Sequence, residues 1–212
     1  MKAVLISIKP KWCELIASGR KTVEVRKTKP KIDVSFKCYI YCTQANEMLW
    51  ILNQSERVFH KKIASIITAK DVGGATKANG KVIGEFVCDK IDYWKHNWEK
   101  DVMHIGDMSK LSCVPVMDLM EYLDGIYDKN GNDKYLYAWH ITDLVIYDKP
   151  KELREFKTKC KEYDKDNPYC DDCKYFVDCR GYEYDESDCA CNGLKPVTRP
   201  PQSWCYVEDL GV

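Results

Sequence analysis

Lys21, Glu24 and Arg26 lie in KTVEVRK, a short β-branched run that begins two residues after Gly19. In a strand, Glu24 and Arg26 stand two apart and share one face, with side chains about 7 Å apart. Lys21 sits where the chain leaves a helix. A carboxylate so placed can accept from an exocyclic amine or a ring N–H. The cations can hold phosphate, arginine through two parallel bonds and lysine as a point charge. That set suits a nucleotide. The same residues would also make a same-face ion pair on an exposed strand, worth under about 1 kcal/mol and without function. Lys9 and Trp12 lie close by in sequence and could add a phosphate contact and a stacking face, although a tryptophan at that helical position also suits a core.

A second group of residues could hold a metal. CDDCKYFVDCRGYEYDESDCAC places Cys170 and Cys173 three apart, then Cys179, then Cys189 and Cys191. A CxxC pair lets two thiolates chelate one ion, and a second pair after a loop completes a tetrahedral zinc site. The expectation is one structural zinc on four of these five cysteines. The alternative from the same residues is a set of free thiols. The segment has few aliphatic residues, so metal would supply its fold.

Bulk numbers narrow the class. The chain has 212 residues, 45% hydrophobic and 31% charged, which suits a globular protein able to bury a core. Its zero net charge hides an asymmetry: residues 1–81 carry 16 Lys+Arg against 6 Asp+Glu, and residues 82–212 carry 17 against 27. A basic first half attracts phosphates, unless the two halves neutralise each other when folded. The apolar run AVLISI is too short for a signal peptide or a membrane span. The expected location is the cytoplasm, and the twelve cysteines are then thiols or metal ligands rather than disulfides.

The elements that must position these groups follow from periodicity. AVLISI reads as a buried strand. KPKWCELIASG reads as a helix opened by Pro10, with Trp12, Leu15 and Ile16 on one face and Gly19 as a left-handed cap. In KTVEVRK, Val23 and Val25 point one way, and Thr22, Glu24 and Arg26 the other. SFKCYIYCT is a third strand. Residues 44–80 have mixed periodicity and are expected to contain a helix followed by a glycine-containing loop. KVIGEFVCDKIDYW reads as one long strand in which Gly84 marks a bulge or close backbone approach. SCVPVMDLMEYLDG reads as a helix N-capped by Ser112. KYLYAWHITDLVIYDKP is a further strand, with His140 expected as a hydrogen-bonded structural histidine, and RPPQSWCYVEDL carries the last. Cys13, Cys38, Cys42, Cys88 and Cys205 fall on these elements as small buried hydrophobes.

Six strands, few helices and no βαβ rhythm indicate an α+β fold, a small mixed β-barrel with peripheral helices. Residues 1–150 with 200–212 form this unit. Residues 151–199 read as an acidic, cysteine-rich insertion before the last strand: residues 160–191 carry ten acidic against four basic side chains.

Gly19-x-Lys21-x-x-Glu24-x-Arg26, following SIKPKWCELIAS, resembles the signature of the ASCH domain in the PUA-like superfamily. The resemblance extends through FKCYIYCT, GKVIGEF, YAWHITDL and RPPQSWCYVE, and does not cover the cysteine-rich stretch. It implies a β-barrel with a cleft lined by Lys21, Glu24 and Arg26, with Gly19 shaping the entrance, and a role in binding RNA or modified nucleobases. Some small bacterial members resemble amidohydrolases of acylated cytidine that use a lysine, a threonine nucleophile and a distal glutamate. Here Lys21 matches, Glu24 holds the nucleophile's position, and Thr22 is displaced by two residues.

Three functions remain open from the sequence. The leading one is non-catalytic recognition of RNA or a nucleotide in a basic cleft. The second is a hydrolase of nucleosides or RNA, with Glu24 as general base and Lys21 and Arg26 stabilising developing charge. The third is a protein-interaction adaptor working through residues 151–199.

Overall fold

The run AVLISI is apolar at every position but Ser7 because both of its faces are covered. Ala3 and Leu5 face one buried cluster, while Val4, Ile6 and Ile8 face another. Such two-sided burial suits a central strand and removes the usual alternation. The computed structural model describes residues 2–52, 65–67, 75–95, 103–161 and 193–211.

In chain order the strands are β1 (Lys2–Ile8), β2 (Val23–Arg26), β3 (Phe36–Cys42), β4 (Trp50–Leu52), β5 (Ser65–Ile67), β6 (Ala75–Lys77), β7 (Val82–Cys88), β8 (Ile91–Trp94), β9 (Leu136–His140), β10 (Thr142–Lys151), β11 (Lys157–Lys159), β12 (Leu194–Pro196) and β13 (Trp204–Glu208). The helices are α1 (Pro10–Ala17), α2 (Ile105–Ser112) and α3 (Val116–Leu123). The fold is α+β. A five-stranded sheet runs β10-β7-β3-β1-β13, and a three-stranded sheet runs β2-β9-β8. Strands β1 and β3 pair in parallel, and the other pairs of these two sheets are antiparallel.

The main core lies between these two sheets. Trp139 of β9 is fully buried and meets Phe36 edge-on, with ring centroids 5.9 Å apart. On the other side of the β2-β9-β8 sheet, Val23, Val25, Leu136 and Ala138 pack against Met108 of α2 and Leu119 and Leu123 of α3. A third buried cluster joins Leu5, Tyr39, Phe156 and Val197.

Several expectations are corrected. Each of the two long strands is a pair: the chain turns at Asp89–Lys90 between β7 and β8, and at Ile141 between β9 and β10, passing from one sheet to the other. The alternation runs on through both corners, which is why each pair reads as one strand. The pairing among the described residues does not close a barrel. Where β13 approaches the loop after β2, the links use side chains: Trp204 Nε1 donates to Thr28 Oγ1 at 3.0 Å, and Lys31 N donates to Tyr206 Oη at 2.6 Å. Ser112 is the last residue of α2 rather than an N-cap; Pro115 precedes α3. The helix expected within 44–80 falls largely on residues outside the described ones, and the described part holds β4, β5 and β6.

Other readings hold. Pro10 opens α1, and Gly19 takes φ +72° just beyond its end. Ile40 pairs with Gly84 and Tyr41 with Val82, so Ile83 is the extra residue of a bulge. A Cβ at Gly84 would run into the Val145 carbonyl oxygen. His140 Nε2 lies 2.9 Å from Asp92 Oδ2. Cys13, Cys38, Cys42 and Cys88 are buried as expected, whereas Cys205 is only half-buried; burial pushes the Cys88 thiol up to about 12 and the Cys205 thiol up to about 11.

The flanks of the cysteine-rich stretch belong to the body. Strands β11 and β12 pair with each other, and Cys160 N donates to Gly193 O at 2.7 Å. The chain therefore leaves and returns at one point. Cys170, Cys173, Cys179, Cys189 and Cys191 lie outside the described residues. Among the described residues no helix is long and apolar enough to cross a membrane, and no group of three His, Cys, Asp or Glu could hold a metal ion.

Candidate nucleic-acid interface

The end of α1 sets the position of Lys21. Gly19 N donates to Ile16 O and Lys21 N to Leu15 O, both at 2.9 Å, so the chain turns sharply out of the helix into β2. The Lys21 side chain then runs inward until it is only 2% exposed. Taking an ammonium out of water is costly unless acceptors replace the hydration shell. Ser112 O accepts a hydrogen bond from the Lys21 ammonium at 2.9 Å, and Glu24 Oε2 stands 3.2 Å away as the partner of an ion pair without hydrogen-bond geometry. Ser112 ends α2, where unpaired carbonyls and the helix dipole favour a cation.

Glu24 is 6% exposed and sits between two cations. Its Oε1 lies 3.0 Å from an Arg26 terminal nitrogen, which also donates to Ser7 O of β1 at 2.6 Å. The polar face of β2 thus looks into the gap between the sheets rather than out to solvent. Its opposite face, with Val23 and Val25, is sealed by α2 and α3. The Arg26 Nε is buried and has no hydrogen-bond partner among the described residues. Behind the triad the Cys13 thiol is pushed well up, first by burial and then by its neighbour Cys42, so it stands there as a neutral, apolar group.

These side chains line an open cavity of about 420 Å³, within the range of small-ligand sites. Lys9, Trp12, Lys21, Glu24 and Arg26 all contribute to its wall. Trp12 is half-buried, with Lys11 Nζ 4.8 Å and Lys21 Nζ 5.3 Å from its ring centroid. Gly19 is not brought to this wall. It lies with Thr22 on a neighbouring cavity and acts here only through the turn that delivers Lys21.

Sequence reasoning missed Ser7, Asp118 and Tyr122, which also line the cavity, and the Ser112 carbonyl that receives Lys21. Tyr122 could have been found as the polar ring on an amphipathic helix. Ser7 and Ser112 act through backbone oxygens, which no residue type announces.

No protein-family model matches the chain, and no curated protein matches it. Among solved structures, the chain is similar to ASCH from Zymomonas mobilis, with 15% identity over 97% of this chain and 87% of that one and a TM-score of 0.47. It is similar to a point mutant of the same protein over 98% and 91% of the two chains, with 15% identity and a TM-score of 0.48.

Proposed function

We propose that this chain is an ASCH-type, PUA-like module that binds RNA or a modified nucleobase in the cleft between α1, β2 and α3. The observation that carries this reading is the excess of cation over carboxylate at the back of an open cavity. Lys21 and Arg26 share the single carboxylate of Glu24, and Lys9 stands on the same wall. Asp118 offsets one charge and leaves a net positive lining. Phosphate or another anionic group would be attracted here. The rings of Trp12 and Tyr122 offer faces for a base. Glu24, fixed by two partners, is oriented as an acceptor for a base edge. A small rotation of Arg26 would let its unpartnered Nε meet an acceptor on the guest.

The hydrolase reading draws less support. Thr22 is exposed and lines the other cavity, so its hydroxyl stands apart from the cleft that holds Glu24 and Arg26, although Lys21 borders both cavities. Lys21 Nζ faces two acceptors, an arrangement that suits a donor rather than a base. We further propose that residues 151–199 carry one structural zinc on four of Cys170, Cys173, Cys179, Cys189 and Cys191, and offer a surface for a protein partner.

The test is a fluorescence titration against a panel of modified nucleosides and short oligonucleotides at two salt concentrations. Binding should weaken steeply with salt and be lost in Lys21→Ala and Arg26→Ala, with no product formed. Turnover that Glu24→Gln abolishes while binding persists would make the protein a hydrolase instead. Failure to bind any member of the panel would overturn the reading.

A further inference from the structure

We infer that the loop after β2, together with the tyrosines beside it, forms a second stretch of the same interface and takes nucleotides flanking the one in the cleft. This rests on the reading of the cleft given above. It makes the ligand a single-stranded oligonucleotide rather than a free nucleoside.

The two stretches meet at Arg26. In the sheet register Arg26 lies opposite Tyr137, and Tyr137 lies opposite Tyr93, so the three stand in a row across β2, β9 and β8 on one face. Tyr135 continues the aromatic surface, stacked on Tyr137 with ring centroids 5.9 Å apart and edge-on to Tyr93 at 5.7 Å. All three rings are half-buried, which leaves part of each open to solvent.

Beside this row the chain reads Lys27-Thr28-Lys29-Pro30-Lys31-Ile32-Asp33, three cations against one acid. These residues and Tyr137 enclose an open concavity of about 490 Å³. Lys29 Nζ stands 5.6 Å from the Tyr137 ring centroid, and Lys27 Nζ stands 4.9 Å from that of Tyr122. Tyr122 itself lines the cleft, so the Lys27–Tyr122 contact joins the wall of the cleft to the wall of the concavity. Among the described residues no carboxylate pairs with Lys27, Lys29 or Lys31. The loop is pinned to β13 through the Thr28 hydroxyl, which accepts from Trp204, and the Lys31 N–H, which donates to Tyr206, so its exposed lysines stand on a fixed frame. Free cations alternating with ring faces along an open groove are what a single strand requires: charge for the phosphates and a platform for each base. A duplex would present no base faces to these rings.

The experiment compares fluorescein-labelled oligouridylates of two and six nucleotides by anisotropy, with wild-type protein and with Lys29→Gln/Lys31→Gln. Both lysines are exposed, so the variant is expected to fold. Wild type should bind the hexamer at least tenfold more tightly than the dinucleotide. The variant should lose that gain and keep its dinucleotide affinity within twofold. Its logarithmic salt slope on the hexamer should fall by about 1.4, at roughly 0.7 per phosphate contact. Tyr135→Leu should lower hexamer affinity alone. Equal affinity for both lengths in wild type, or a gain that survives in the variant, would overturn the inference and leave the cleft reading intact. Binding of neither length would overturn the inference and leave the cleft reading to be decided by the nucleoside panel.

Discussion

The ammonium of Lys21 lies 2.9 Å from the carbonyl oxygen of Ser112, so a site residue just ahead of β2 is tied to the end of a helix far away in sequence. The same ammonium holds Glu24, and this couples the docking of α2 to the charge balance of the cleft. The backbone adds to the tie, since Thr22 N donates to Leu111 O at 3.0 Å.

Lys21→Met keeps an unbranched stem and removes the charge. It leaves Ser112 O without its donor and Glu24 with one cation. Removing one partner of a buried pair costs about 3–5 kcal/mol, and Arg26 should hold the loss near the lower end. Urea unfolding gives the value, and the Lys21→Met/Glu24→Gln double variant should recover part of it without recovering ligand binding. A loss below about 0.5 kcal/mol is what an exposed pair would give, and would contradict the buried geometry.

Arg26→Lys tests geometry at constant charge. One guanidinium nitrogen reaches both Glu24 Oε1 and Ser7 O, and Nε remains for a guest. A lysine offers a point charge and cannot reproduce the planar fork. Ligand affinity should fall about tenfold, equivalent to roughly 1.4 kcal/mol, with the salt dependence unchanged. An unchanged affinity would show that Arg26 contributes charge alone.

Trp12→Leu separates stacking from packing. The ring lines the cavity and also packs at the edge of the main core. Base stacking on an aromatic side chain is worth about 1–3 kcal/mol, so affinity should drop by roughly tenfold or more while the fold survives. In wild type, nucleotide binding should also change tryptophan emission, and the change should shrink in the variant. If stability falls and affinity does not, Trp12 is a core residue only.

Much of this arrangement was legible in the sequence, for physical reasons that also explain the failures. Period two placed Glu24 and Arg26 together, and Pro10 and Gly19 bounded the helix that delivers Lys21. Alternation is symmetric, however, and cannot say which face of β2 looks inward. That was decided by α2 and α3, which cover the Val23 and Val25 side; Ile105, Met108 and Leu111 of α2 face this cluster, but three apolar residues in an eight-residue helix make too short a pattern to stand out in the sequence. The corners at Asp89–Lys90 and Ile141 contain neither glycine nor proline, so two sheet changes passed unmarked. The concavity beside Tyr137 depends on strand register, which local pattern does not reveal.

The cysteine-rich stretch gives a prediction from spacing and from where its ends lie. β11 and β12 bring its flanks together, so it can be perturbed without separating the two main sheets. Metal analysis of protein prepared without chelator should find one zinc per chain. Cys170→Ser/Cys173→Ser should abolish it, and a chelator should alter this stretch while leaving the thermal unfolding of the body in place. Absence of zinc would remove the site.

Acid should loosen the C-terminal segment, and the sign follows from Asp209. Burial pushes its carboxyl up. Hydrogen bonds from Tyr39 Oη at 2.6 Å and Gly211 N at 3.3 Å, with Lys37 Nζ at 3.2 Å, outweigh that and hold it below the ordinary range. A carboxylate lowered in the folded state contributes stability that is fully present above its unfolded value, near 3.9, and is lost as pH falls through the folded one. Asp209→Asn should therefore be less stable than wild type at pH 7, with the gap closing between about pH 5 and pH 2. The same contact acts at the alkaline end. Burial lowers the Lys37 ammonium, but Asp209 and Glu85 raise it on balance, so its contribution persists below about pH 10.4 and is lost above the raised value. Urea midpoints for wild type and Asp209→Asn across this range give the measurement. A gap that stays constant through the acid limb would mean that Asp209 ionisation does not hold the C-terminal segment.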